Sequence, residues 1–138
     1  MTMAIMSPEV QELFASVPNV AFSTAAPDGQ PNTCVVGMKK IIDDETVYMS
    51  DQFFLKTLAN MQENPKVAIT FWEGNKAYQL HGTATYVNEG EQFEAQAAWV
   101  NAAFESMGLP IKTKGGAFVH VDAVFSSAPG ATAGAQLA

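Results

Sequence analysis

The chain has 138 residues, 48% of them hydrophobic and 15% charged, the size and make-up of one globular domain with room for a core. Its net charge is −7 and all seven basic residues are lysines, which excludes the basic footprint of a nucleic-acid binder and attraction to an anionic membrane surface. One cysteine, Cys34, rules out an internal disulfide and suits a reducing compartment; Met1 to Met6 is too short for a signal segment, and no apolar run reaches about 18 residues, so a soluble, cytoplasmic protein is expected.

Ser7-Pro8 opens a helix, with Ser7 as N-cap and Pro8 at the first helical position. Val10, Leu13 and Phe14 form its apolar face, and it ends near Val17-Pro18. Val20, Phe22 and Thr24 alternate as a strand, and Asp28-Gly29 marks a hairpin turn. The β-formers from Asn32 to Ile42 predict one long strand, in which Gly37 signals a bulge or a close approach to the backbone. Asp43-Asp44-Glu45 reads as an exposed turn. Val47, Tyr48 and Met49 are strand-like until Ser50-Asp51-Gln52 breaks the run. Phe54, Leu58 and Met61 then fall on one face of a helix that Pro65 ends.

Val67, Ile69 and Phe71 alternate again, and Glu73-Gly74-Asn75 is a turn. From Ala77 to Val87 Tyr78, Leu80, Gly82, Ala84 and Tyr86 share one face, with Gln79, His81, Thr83 and Thr85 on the other. Asn88 is placed to cap a helix reaching about Ser106, with Glu91 and Glu94 near its positive end and a stripe of Phe93, Ala97, Val100 and Phe104. Gly108-Leu109-Pro110 stops it. Gly115-Gly116 leads into a last strand, Ala117 to Phe125, with Val119, Val121, Ala123 and Phe125 expected on one face. Residues 1–125 thus form one domain, and the Gly/Ala-rich stretch 126–138 is a tail with too little apolar mass to pack as an element. The order α-β-β-β-α-β-β-α-β, with hairpins and no βαβ alternation, predicts an α+β chain whose six antiparallel strands close into a barrel.

Little chemistry is visible in the residues alone. Lys56-Thr57, early in the second helix and off its apolar face, reads either as ordinary solvated surface or as a seat for an anion, since a helix start favours negative charge. His81 and His120 have no further ligands at metal spacing, so no metal site is expected. Cys34 with a histidine makes no oriented nucleophile pair, and there is no Walker or dinucleotide glycine motif. Trp72 and Trp99 read as core or interface residues.

Taken together, several pieces carry a resemblance. They are Asp28-Gly29-Gln30-Pro31 before a long strand, Val47-Tyr48-Met49-Ser50, Lys56-Thr57 ahead of Glu63-Asn64-Pro65-Lys66-Val67-Ala68, and Tyr78-Gln79-Leu80-His81-Gly82-Thr83-Ala84. In this order, across about Val20 to Phe125, they resemble the FMN-binding split-barrel family that includes pyridoxamine 5′-phosphate oxidase. The resemblance implies a homodimer with FMN in the groove between two chains. It implies that Lys56 and Thr57 hold the phosphate, that the strand around Cys34, Val35 and Val36 offers backbone groups to the flavin ring, and that Met49 and Ser50 line the ribityl side. Gln79 is then a contact from the partner chain. Pyridoxamine-phosphate oxidases proper use arginines on the cofactor strand and near the C-terminus. This chain has none, so the resemblance points instead to the small FMN-binding proteins of the family. The implied function is flavin-mediated hydride or electron transfer with a small-molecule or protein donor and acceptor. The alternatives are a non-catalytic FMN carrier and a dimer that binds haem or a deazaflavin.

Overall fold

The computed structural model describes residues 4–138; Met1 to Met3 of the opening apolar stretch lie outside them, while Ala4 and Met6 are buried. Helix α1 (Pro8–Ser16) begins as expected, with the Ser7 hydroxyl accepting from the Val10 N–H at 3.3 Å. Its buried Val10, Leu13 and Phe14 close one side of the barrel, and Phe14 meets Phe71 edge to face at 5.4 Å.

Seven strands follow, not six. They are β1 (Val20–Ala25), β2 (Pro31–Val36), β3 (Lys39–Asp43), β4 (Thr46–Asp51), β5 (Lys66–Glu73), β6 (Lys76–Val87) and β7 (Gly115–Ser126). They form one antiparallel sheet in the order β2-β1-β5-β6-β7-β4-β3. The single strand expected over Asn32 to Ile42 is β2 and β3, which lie at opposite edges. β2 pairs with β1 (Val36 opposite Val20), and β3 pairs with β4 (Lys39 opposite Met49). The sheet therefore curls until its two edges are joined by Gly37 and Met38, which makes a split barrel. Gly37 is not a bulge within a strand; it lies in the crossing between β2 and β3. A Cβ there would meet the Asn19 side chain at 3.2 Å and the Pro18 carbonyl at 3.5 Å, so the close neighbour is the chain's own α1–β1 connection.

The inward positions of the strands form the core, with Phe22, Val47, Met49, Ile69, Phe71, Leu80, Val119 and Val121 all essentially inaccessible. β4 runs on through Ser50 and Asp51, which remain paired with Gly116 and Gly115, so the polar residues there do not break the strand. Helix α2 (Lys56–Glu63) starts two residues later than its apolar spacing indicated, and its buried residues are Thr57 and Met61. Helix α3 (Glu91–Ser106) carries the stripe of Phe93, Ala97, Val100 and Phe104. Gly90, at φ 94°, stands at its N-cap where Asn88 was expected, and no side chain caps it. The last residues double back along β7: the Leu137 N–H reaches the Val124 carbonyl at 2.7 Å and the Ser126 N–H reaches Ala135 at 2.9 Å. The tail thus makes a hydrogen-bonded return along the end of β7 that extends beyond its pairing with β4, with almost no apolar contribution.

Gly115 and Gly116 have a specific cause. A Cβ on Gly115 would collide with the Tyr86 hydroxyl, and one on Gly116 with the Tyr48 hydroxyl. The two glycines make room for two phenols, half-buried Tyr86 and buried Tyr48, and Tyr48 Oη has no hydrogen-bond partner. Gly116→Ala should cost about 1–3 kcal/mol by overpacking. Tyr48→Phe, which removes an unsatisfied buried hydroxyl, should be neutral or stabilising. Chemical denaturation of both single variants and the double variant checks this: the double should recover only part of the loss, because the ring carbons Cζ and Cε1 still crowd the added Cβ, and strictly independent effects would rule out the collision.

Candidate functional site

The seam between the sheet's edges carries a groove of about 350 Å³. One wall is β2 and the crossing that follows it, Cys34 to Met38. The floor is the end of β4 and the turn beyond, Ser50 and Gln52 to Phe54. The third side is the end of α3 and its exit, Phe104, Met107 and Leu109. Because β2 is an edge strand, about half of its backbone N–H and C=O groups have no strand neighbour on that side. The walls are mostly apolar, and several apolar side chains here are exposed, Val35 at 72% and Phe53 at 77%. Apolar walls with a few directed polar groups are the usual composition of a small-molecule site.

The groove's shape depends on the turn from β4 into α2. Asp51, 2% exposed, accepts from the Phe54 N–H at 2.9 Å through one carboxylate oxygen and from the Tyr86 hydroxyl at 2.6 Å through the other. Its backbone carbonyl accepts from the Lys114 N–H at 2.8 Å and the Thr113 hydroxyl at 3.2 Å. Thr113 in turn shares a hydrogen bond with Ser50 at 2.8 Å, and Gln52 donates to the Ser50 hydroxyl at 2.8 Å. Burial, and then the Asp51 charge, push the Tyr48 phenol up to about 12; burial, and then the hydrogen bond to Asp51, raise that of Tyr86.

Of the residues singled out in the sequence, Cys34, Val35, Val36 and Ser50 line this groove together. Met49 does not; it points into the core. Lys56 and Thr57 are split. Lys56 is exposed in the first turn of α2, two residues from the groove residue Phe54. Thr57 is buried, and its hydroxyl accepts from the Asn32 amide at 3.1 Å, within a network that continues through Thr24 to Asn60. Gln79 lies away from the groove on the outer face of β6, hydrogen-bonded to Thr70 at 3.2 Å and to the His81 ring at 2.8 Å. Gln52, Phe53, Phe104, Met107 and Leu109 were not foreseen as site residues. The Gly108-Leu109-Pro110 stop was visible, but nothing in it told that the helix exit turns back onto β2.

His120 faces Glu45 at 3.8 Å and Asp122 at 3.5 Å, and His81 stacks near Phe125 at 4.5 Å. Among the described residues no group of three or more His, Cys, Asp or Glu side chains is placed to hold a metal ion, and no helix is long and apolar enough to cross a membrane. Trp72 is exposed rather than core, and half-buried Trp99 lies under the Lys40 ammonium at 5.6 Å.

With this geometry the chain is similar to several known proteins. The family model described as pyridoxamine 5′-phosphate oxidase matches residues 6–119. An uncharacterized protein of Methanocaldococcus jannaschii is 35% identical over 133 residues, covering 93% of this chain and 87% of the relative. The crystal structure of HupZ from Group A Streptococcus superposes with a TM-score of 0.79 at 25% identity, covering 94% of this chain and 100% of that one. An FMN-binding protein from Syntrophomonas wolfei gives 0.74 at 16% identity, with coverage of 88% and 85%. HutZ, the heme storage protein from Vibrio cholerae, gives 0.67 at 18%, with coverage of 89% and 95%. These last two likenesses concern the fold.

Burial raises the Cys34 thiol above its ordinary value, against an opposing hydrogen bond from Thr57, and the Asp51 charge adds a smaller upward push. Only the thiolate is nucleophilic, so at pH 7–8 Cys34 should alkylate more slowly than glutathione, with its rate still rising at pH values where glutathione's has levelled. Iodoacetamide labelling followed by intact-mass measurement tests this; labelling as fast as glutathione's at neutral pH would contradict the placement of the thiol.

Proposed function

The chain belongs to the pyridoxamine 5′-phosphate oxidase family, and from that premise we propose that it is an FMN-binding flavoprotein, a homodimer holding flavin in the seam groove. The observation that carries the reading is the groove itself. An apolar slot, bounded on one side by an edge strand with free backbone groups, suits a planar ring that is apolar on its faces and polar at its edge. Cys34, Val35 and Val36 provide the strand wall, and Ser50 and Gln52 the directed polar groups. Lys56, exposed beside the groove at the start of α2, is the cation for the phosphate, helped by the helix start. Thr57 contributes by fixing β2 to α2 through Asn32, since its hydroxyl is turned inward.

The outer face of the sheet supports the dimer. Ala21, Ser23, Ala68, Thr70, Gln79, His81, Ala123 and Phe125 are cross-strand neighbours on one face without a carboxylate or an ammonium, and the charged Lys66 and Asp122 stand at its border. A solvated sheet face ordinarily alternates in charged and polar residues. Val35 opposite Ala21 extends this face and also lines the groove, so a second chain packed on the face would cover the groove and bring its Gln79 toward it.

Bound flavin supplies hydride or electron transfer between a reductant and an acceptor; the protein supplies binding, orientation and shelter from water. A chain without arginine favours a small flavoprotein over oxidation of pyridoxamine phosphate itself. FMN added to the purified protein should give stoichiometric oxidised-flavin absorbance; a Soret band from added haem with no flavin uptake would move the reading to the chemistry of the Vibrio cholerae neighbour. Lys56→Ala should weaken FMN binding about tenfold, whereas Thr57→Ala should lower thermal stability instead; equal FMN affinity in Lys56→Ala removes the phosphate seat. Ala68→Glu should convert a dimer into a monomer on size-exclusion chromatography. Bleaching by NAD(P)H separates an enzyme from a carrier.

A further inference from the structure

Beside the seam groove lies a second cavity, of about 640 Å³, whose walls include Asp51, Phe53, Leu55, Leu58, Tyr86 and Lys114. Phe53 is the wall shared by the two. We propose that this cavity binds a small organic ammonium compound, with its cationic head held by Asp51 and its apolar body against Phe53, Leu55 and Leu58.

The argument begins with charge. Asp51 is 2% exposed, and each of its oxygens takes a single donor, Tyr86 Oη on one and the Phe54 N–H on the other. A carboxylate has about four acceptor positions, so about half remain open. The ion pairs among the described residues are Lys76 with Glu9 and those of His120; none reaches Asp51. Lys114 meets Asp51 only through its backbone N–H, and its side chain is exposed at the cavity's rim, where water and salt screen it. The buried carboxylate lies in a poorer dielectric and therefore dominates the field inside. The Tyr86 phenol, held above its ordinary range by burial, stays protonated and donates to Asp51.

The apolar half of the cavity points the same way. Leu55 is the only non-glycine residue among those described with a positive φ (30°), a conformation unfavourable for a branched side chain. It holds Leu55 85% exposed and Phe53 77% exposed on either side of buried Phe54. An aromatic face and an aliphatic wall beside an uncompensated carboxylate match an amine with an aromatic or aliphatic body, by cation–π and hydrophobic contact together. A metal ion is a poor match, since no further carboxylate or histidine converges there among the described residues.

The proposal does not rest on the flavin reading, because it is tested without added flavin. Titration calorimetry of the full chain should show saturable binding of tryptamine at least about tenfold tighter than of indole-3-acetate, the same ring with the opposite charge. Asp51→Asn should abolish the preference while keeping or raising the melting temperature, because a buried uncompensated charge has been removed. Leu58→Trp, which fills the cavity from its wall, should lose tryptamine binding as well. Equal binding of the two probes, no binding of tryptamine, or an Asp51→Asn protein that keeps the preference would overturn the proposal. Should Asp51→Asn fail to fold, tryptamine binding retained by folded Leu58→Trp would do the same.

Discussion

The Asp51 carboxylate sits where β4 gives way to α2, and four elements meet on it. It fixes the Phe54 N–H, and with it the start of α2; it anchors Tyr86 on β6; and through its carbonyl it holds the approach to β7 at Thr113 and Lys114. Hydrogen bonds to a charged acceptor contribute about 1.5–3 kcal/mol each. Removing a carboxylate from water costs several kcal/mol. The two sides nearly cancel, so Asp51 adds little net stability and instead specifies geometry. The chain cannot leave β4 in another direction without leaving a buried charge unsatisfied. Gly115 and Gly116 follow from the same junction, since the phenols of Tyr86 and Tyr48 occupy the space that two side chains would need.

From that junction the groove is determined. Ser50 and Gln52 are presented at the seam because β4 continues to Asp51 before turning, and the Thr113–Ser50 bond ties the exit of α3 to the same place. The opposite wall arises from topology. β2 and β3 are consecutive in sequence yet belong to opposite edges, so the chain crosses the seam at Gly37 and Met38 and leaves one edge of β2 unpaired. A closed barrel would have no such edge.

The periodic parts of this architecture were legible. β5 and β6 alternate cleanly, and α1 announces its cap, its proline and its apolar face; in β7 the alternation breaks at a bulge opposite His81 and Gly82, so Val124 is buried while Ala123 and Phe125 turn outward, away from Val119 and Val121. A change of strand partner was not legible: β2 and β3 are both made of β-formers, and no local signal says that Val36 pairs with Val20 while Lys39 pairs with Met49. α2 ends before Pro65 as expected, and Phe54, Leu58 and Met61 pack on the core, but the start of the helix and the placement of Thr57 were misread for a related reason. Counting from Phe54 put Phe54, Leu58 and Met61 on one face and Thr57 off it. The helix begins only at Lys56, after a turn that Leu55 makes with positive φ, and its buried pair is Thr57 with Met61, spaced i and i+4. Lys56 and Thr57, adjacent in sequence, therefore face opposite ways. Asp51 and Tyr86 are 35 residues apart, and nothing in either neighbourhood marks them as a pair.

The charge pattern gives the site its character. All seven basic residues are lysines, and Lys56 stands exposed in the first turn of α2, two residues from the groove residue Phe54. A point charge on a flexible stem holds a phosphate without the bidentate geometry of arginine. Under the flavin reading proposed above, recognition would shift from the phosphate toward the ring, by apolar walls and strand backbone, where the net charge of −7 offers no long-range attraction to an anionic cofactor. A cofactor held in this way is seated chiefly by shape and burial, so whatever covers the seam, and thereby removes the ring from water, governs how tightly it is held.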